Sequence, residues 1–127
     1  MRRTAFALGL VQLSGPRGTG IAPNNGNYAM CIAYSSGAAA AATEVVEKHI
    51  KLPGSIGPMV EAIVPPAEAV QGKPGDFVDN AVRKSAKRTA TKIATNSEIV
   101  AHFIEDNKAK VMAARYDLDE GRVEFLS

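Results

Sequence analysis

The chain has 127 residues, of which 46% are hydrophobic and 22% charged, so it is long enough for one small globular domain with a single core. Its formal net charge of +2 gives no electrostatic reason to expect binding to nucleic acid or to an anionic membrane. The longest apolar runs fall short of the roughly 20 residues that a transmembrane helix needs. Cys31 is the single cysteine, which excludes an internal disulfide and favours a reducing, cytoplasmic location.

The N-terminal region predicts one strand and a loop. Residues 1–11 combine a basic start with an apolar run, as signal peptides do, but Gln12 interrupts the run and no small-residue cleavage site follows. Ala5 to Leu13 therefore favours a strand, and the cluster from Ser14 to Gly20 ends it. The glycines of Gly15 to Gly20 suggest a phosphate loop, but the Gly-Lys-Ser/Thr ending is missing, so we expect a flexible connection.

A second strand and a helix follow. Tyr28 to Tyr34 is apolar throughout, which is typical of a strand buried on both faces of a parallel sheet, although a helix competes for the segment. Ser35 or Ser36 then caps a helix from Ala38 to about His49, which opens with five consecutive alanines. Such small side chains allow another backbone to come close.

The middle of the chain predicts a short and a long helix. Pro58 suits the first turn of a short helix with its apolar residues on one face, and Pro65-Pro66 ends or kinks it. From Val78 to Ile93 apolar residues recur at helical spacing, so this segment predicts a long amphipathic helix. Its other face is basic, with Arg83, Lys84, Lys87, Arg88 and Lys92. Because no aromatic residues are interleaved, we interpret this face as solvated and not as an RNA or acidic-protein site.

The C-terminal part predicts one more helix and a hairpin. Ser97 can cap a helix that turns four apolar residues inward, namely Ile99, Val100, Phe103 and Ile104. Lys110 to Tyr116 and Arg122 to Leu126 predict two strands, joined by a turn in which Gly121 suits a left-handed backbone. Alternation in the last strand predicts that Val123 and Phe125 pack on the core, while Arg122 and Glu124 face water.

Several of these segments together resemble the C-terminal half of a β-class carbonic anhydrase. They are, in order, Leu52 to Ile63, Gly72 to Asp76, Asn80 to Arg83 and Tyr116 to Leu126, and the resemblance covers about Ser35 to Leu126. It implies an α/β fold in one domain over residues 1–127: a partial carbonic anhydrase-like sheet with flanking helices and a C-terminal β-hairpin, after a divergent leader at residues 1–27. A half-sheet leaves open edges and apolar faces, so we expect a homodimer or a higher oligomer.

The zinc-binding residues of that family are missing or eroded. The family holds zinc with Cys-x-Asp-x-Arg and His-x-x-Cys-Gly segments, and the metal lowers the pKa of a bound water so that hydroxide can attack carbon dioxide. The first segment has no counterpart in this chain. The second is matched best by Tyr34, Ser35, Ser36 and Gly37, where Tyr34 replaces the histidine and no cysteine precedes Gly37. We therefore predict a vestigial site with no catalytic residue and no cofactor.

The remaining soft or borderline metal ligands are Cys31, His49 and His102, and no two of them share a close metal-binding spacing. Cys31 is the possible ligand nearest the vestigial site. Three functional hypotheses remain open. The chain is a structural or interaction module that has lost zinc, or an active carbonic anhydrase with an unorthodox or partner-completed site. Alternatively, it binds a small anion such as bicarbonate without metal, through backbone amides near Ser35, Ser36 and Gly37.

Overall fold

A computed structural model describes residues 4–14, 27–117 and 119–126, with side chains described from residue 37 onward. The described elements, in chain order, are β1 (Thr4–Ser14), β2 (Asn27–Ser35), α1 (Ser36–Lys48), α2 (Ile56–Glu61), α3 (Val64–Glu68), α4 (Phe77–Asn96), α5 (Glu98–Glu105), β3 (Ala109–Asp117) and β4 (Val123–Leu126). The protein is therefore a mixed helix and strand fold, compatible with the predicted small α/β class. Within the described ranges, no helix is both long and apolar enough to cross a membrane.

The four strands in the described part of the chain form one sheet in the order β2-β1-β3-β4, and every neighbouring pair is antiparallel. The prediction of a parallel-sheet strand at Tyr28 to Tyr34 is therefore wrong, because β2 lies at a sheet edge and pairs antiparallel with β1 from Phe6↔Ser35 to Ser14↔Asn27. An apolar run indicates burial but carries no information on strand direction. Antiparallel pairing also lets consecutive strands become neighbours without a crossover helix. The predicted first strand is confirmed, and it occupies a central position.

Among the described residues, helices α1 to α4 and the sheet form two connected groups of buried side chains. The first joins α1, the α2–α3 segment and α4 through Ala42, Val46, Val60, Ile63, Ala67, Val70 and Ala81. The second joins α1 and α4 to β3 through Ala39, Val82, Ala86 and Ala113, with Leu126 of β4 packed against it. The predicted alanine-rich helix is confirmed, and its small residues Ala39 and Ala42 are buried within the chain. Small side chains at these positions let α1 approach its neighbours closely.

Side-chain caps explain where the two C-terminal helices begin. The Asp76 carboxylate accepts a hydrogen bond from the Asp79 N–H at 2.7 Å, and α4 starts at Phe77, directly after this cap. The Ser97 hydroxyl accepts from the Val100 N–H at 3.3 Å, which confirms the predicted cap of α5. By contrast, Pro65 and Pro66 do not simply end a helix, because they lie in the first turn of α3, where a missing N–H costs nothing.

The predicted burial of α5 is wrong. The helix exists, but none of its residues is buried, and Ile99 is 72% exposed. Hydrophobic periodicity identifies residues that share a face, but it does not guarantee that another element covers that face. The short helix α2 shows the same limit, because Val60 is buried whereas Met59 is 53% exposed.

The C-terminal hairpin is confirmed, but the side chains of its last strand face the opposite way from the prediction. Gly121 has a positive φ of 64° as expected, and β4 pairs with β3 from Tyr116↔Val123 to Ala113↔Leu126. Phe125 is 61% exposed and Val123 is 46% exposed, whereas Leu126 packs on the core. The physical reason is the register, which places Glu124 beside Arg115 on the side that faces α4.

Candidate functional site

The predicted vestigial site lies at a junction between a strand and a helix. β2 ends at Ser35, α1 begins at Ser36, and Gly37 is exposed in the first turn of α1. This order is the one that the sequence predicted for the segment. The side chains of Tyr34, Ser35 and Ser36 lie outside those that the structure describes.

The possible metal ligands lie on three separate elements. Cys31 is in β2, with its Cα opposite Leu10 of β1, and its side chain lies outside the described set. His49 is exposed just after α1, and His102 on α5 places its Nε2 3.6 Å from Oδ2 of Asp106. Among the residues that the structure describes, no three His, Cys, Asp or Glu side chains come together in a group that could hold a metal ion. The glycine-rich segment Gly15 to Gly20 lies outside the described residues.

A cluster of charged side chains, which we call the hairpin ion cluster, joins α4 to the C-terminal hairpin. Its members are Asp79, Arg83, Arg115, Asp117 and Glu124. Arg115 Nε donates to Asp79 Oδ1 at 2.7 Å, and Arg83 Nε donates to Asp79 Oδ2 at 2.8 Å. Arg83 also donates from Nη1 and Nη2 to the two oxygens of Glu124, both at 2.8 Å. Asp79 and Glu124 thus hold two guanidinium groups in a fixed arrangement.

Burial makes Arg115 the most constrained member of this cluster. Its side chain is 10% exposed, against 24% for Asp79 and 47% for Glu124. A guanidinium that has lost most of its water needs carboxylate partners, and Asp117 supplies a further one, with Oδ2 3.4 Å from Arg115 Nη2. Two guanidinium groups face three carboxylates, so each cation of the cluster is paired. The cluster therefore holds α4 against the hairpin, and its paired groups are not free for acid–base chemistry.

Arg83, Asp117 and Glu124 have pKa values that are shifted in the directions that favour their charged forms. The bidentate hydrogen bonds from Arg83 hold the pKa of the Glu124 carboxyl below its usual range, and Glu124 and Asp79 together raise the pKa of Arg83. The pKa of Asp117 is also lowered, first by the backbone N–H of Glu120, which donates to its carboxylate inside the hairpin turn. All of these groups are charged at neutral pH.

The basic face of α4 is not uniformly solvated as the sequence suggested. Arg83 is committed to the hairpin ion cluster, Lys84 and Lys87 are exposed, and Arg88 and Lys92 line a groove on another side of the helix. These roles were not predicted from the sequence. Two signals were present: the i,i+4 spacing of Asp79 and Arg83, and the single charged Arg115 that follows the apolar residues 111–114 of β3.

Comparison with known proteins gives no match: no protein-family model, no curated protein and no solved structure corresponds to this chain. The resemblance to β-class carbonic anhydrases therefore stays a prediction that rests on the residue motifs.

The Glu124 carboxylate should contribute to stability at neutral pH but not in acid. Because its folded pKa lies below the ordinary value of 4.5, its contribution is fully present above that value and is lost as the pH falls through the folded pKa. We expect Glu124→Gln to lower the urea midpoint at pH 7, and the difference from wild type to shrink below about pH 4.

Glu61→Gln is the matched control, because Glu61 is exposed and makes no ion pair with any other described residue. It should leave the midpoint unchanged at both pH values. An equal loss from Glu124→Gln at pH 7 and pH 3 would contradict the ion-pair assignment.

Proposed function

We propose that the protein is a β-carbonic anhydrase-like module that has lost zinc and carbon dioxide hydration and acts as a structural or interaction module. The observation that carries the proposal is the residue set at the strand-to-helix junction. Tyr34 stands where the family has histidine, and Ser36, not cysteine, precedes Gly37. A tetrahedral zinc site of this kind needs two thiolates and an imidazole, and neutral hydroxyls do not replace them.

The order of elements along the chain supports the same proposal. A strand leads into an alanine-rich helix at Ser35 and Ser36, a long helix follows the Gly72 to Gly75 turn, and a hairpin with a left-handed Gly121 closes the chain. These are the elements that carry the matched motifs. The sequence predicted a parallel strand at Tyr28 to Tyr34, whereas β1 pairs antiparallel with both of its neighbours. The proposed likeness is therefore restricted to residues 35–126.

The exposed side of the hairpin supports an interaction role. Residues of β4 alternate in direction, so Val123 and Phe125 point away from the face that carries Glu124 and Leu126. Both are exposed, and β4 is also an edge strand of the described sheet. Exposed apolar residues on a sheet edge are typical of an interface between proteins.

A second copy of the same chain is the partner that we propose for this surface. Val123 and Phe125 carry no charge, so the surface selects no acidic or basic partner, and closed two-fold dimers are the commonest assemblies of soluble proteins. A two-fold interface would bring the hairpins of two copies together and cover both aromatic rings at once. Such an assembly meets the expectation of a homodimer or a higher oligomer.

The zinc content tests the loss of the metal site. Purified protein incubated with zinc and then desalted should hold far less than one zinc per chain and should not accelerate carbon dioxide hydration above buffer. Tyr34→Phe should change neither result, because the tyrosine hydroxyl is not a ligand in this proposal. Stoichiometric zinc with hydration activity that a chelator removes would overturn the proposal, and loss of that zinc in Cys31→Ser would identify the thiolate as a ligand.

The oligomeric state tests the interaction surface. Light scattering at micromolar concentration should give a dimer mass for the wild type and a monomer mass for Phe125→Asp, because a buried unpaired carboxylate is incompatible with an apolar interface. Ile99→Asp is the matched control, since Ile99 is equally apolar and 72% exposed but lies on α5. It should stay dimeric. A monomeric wild type, or a Phe125→Asp variant that remains dimeric with an unchanged circular dichroism spectrum, would contradict the proposed interface.

A further inference from the structure

A groove of about 240 Å³ lies between α4 and the α2–α3 segment. Its apolar wall includes Ile63 and Pro66 from the α2–α3 segment and Ile93 from α4. Among the described residues its polar wall comes from α4, with Thr89 beside the three residues Ser85, Arg88 and Lys92. These three residues follow the i, i+3, i+7 spacing of one helix face, so a single straight element positions them together.

The polar groups of this groove have no partners in the described part of the chain. Ser85 is only 4% exposed, yet its hydroxyl makes no hydrogen bond to any residue that the structure describes. Buried hydroxyls are normally hydrogen-bonded, so an unpaired one that lines a groove indicates a missing partner. Arg88 and Lys92 likewise form no ion pair with a described carboxylate, in contrast to Arg83 on the same helix.

We propose that this groove binds a small organic carboxylate with an apolar body. The Arg88 guanidinium offers two parallel N–H donors to a carboxylate, Lys92 adds a second positive charge, and the Ser85 hydroxyl supplies one more donor. Ile63, Pro66 and Ile93 form the surface against which a ring or a short hydrocarbon chain packs. The groove is smaller than the roughly 300–1,000 Å³ of sites for drug-sized ligands, so the ligand is a small one.

The apolar wall distinguishes this ligand class from inorganic anions. Bicarbonate or phosphate would engage Arg88 and Lys92 but would leave the apolar wall wet, whereas a carboxylate with a ring uses both walls. The site is also separate from the Ser35 to Gly37 junction, where the sequence suggested anion binding through backbone amides. It does not depend on any relation to carbonic anhydrases.

Titration of the full chain with benzoate tests the proposal, with calorimetry for affinity and amide chemical shifts for location. Benzoate should saturate one site per chain, shift the amides of residues 63 and 93, and bind at least about tenfold more tightly than acetate, since burial of a ring supplies that difference. Inorganic phosphate should compete weakly. Ser85→Ala should weaken benzoate binding several-fold.

Two double variants, each of which removes two positive charges, distinguish a specific site from general attraction to a basic helix. Arg88→Gln with Lys92→Gln removes the cations of the groove and should weaken benzoate binding at least about tenfold, the effect of losing charged hydrogen bonds. Lys84→Gln with Lys87→Gln removes two exposed cations of the same helix and should leave binding within about twofold.

Three results would overturn the proposal: no saturable benzoate binding, equal weakening in both double variants, or phosphate binding as tight as benzoate. If the Arg88 and Lys92 double variant fails to fold, Lys92→Gln alone serves, because Lys92 is exposed and its loss should not disturb packing. Unchanged benzoate affinity and unchanged amide shifts in that variant would equally contradict the assignment.

Discussion

The packing of α4 on the sheet depends on one buried cation. Arg115 lies in β3 with its side chain 10% exposed, and Asp79 of α4 accepts a hydrogen bond from its Nε at 2.7 Å. Because a desolvated guanidinium is costly without carboxylate partners, the helix can pack here only in the register that brings Asp79 to Arg115. The apolar contacts of Val82 and Ala86 with Ala113 follow further along the same interface. α1 and α3 in turn pack on α4, so the position of this helix sets the positions of the other two.

Fixing α4 in this way divides both the helix and the sheet into distinct surfaces. Arg83 faces the hairpin and holds Glu124, while Ser85, Arg88 and Lys92 face the groove. On the hairpin, Glu124 lies on the side toward α4, so the next residue, Phe125, lies on the opposite face of the strand, where it is exposed. The proposed ligand groove and the proposed dimer surface are therefore both consequences of how the ion cluster orients its two elements.

Local signals in the sequence predicted much of the fold. The alanine run, the Ser97 cap, the period of α4 and the turn at Gly121 gave the correct elements, because each depends on neighbouring residues. The predictions of a parallel strand, of a buried α5 and of the buried face of β4 were wrong. Each of these properties depends on what packs against the element. The decisive partners of Glu124 and Arg115 lie 41 and 36 residues away in sequence. The junction at Ser35 and Ser36 was predicted correctly, but the groove was missed, since it forms only when α3 and α4 meet.

A double-mutant cycle measures directly whether Asp79 and Arg115 act as a coupled pair. Urea unfolding of the wild type, Asp79→Asn, Arg115→Met and the double variant gives the interaction free energy between the two side chains. For a hydrogen-bonded charge pair with one partner nearly buried, we expect a coupling of about 1.5 to 3 kcal/mol. Additive effects within about 0.3 kcal/mol would contradict the account, because they would mean that α4 is held on the sheet without this pair.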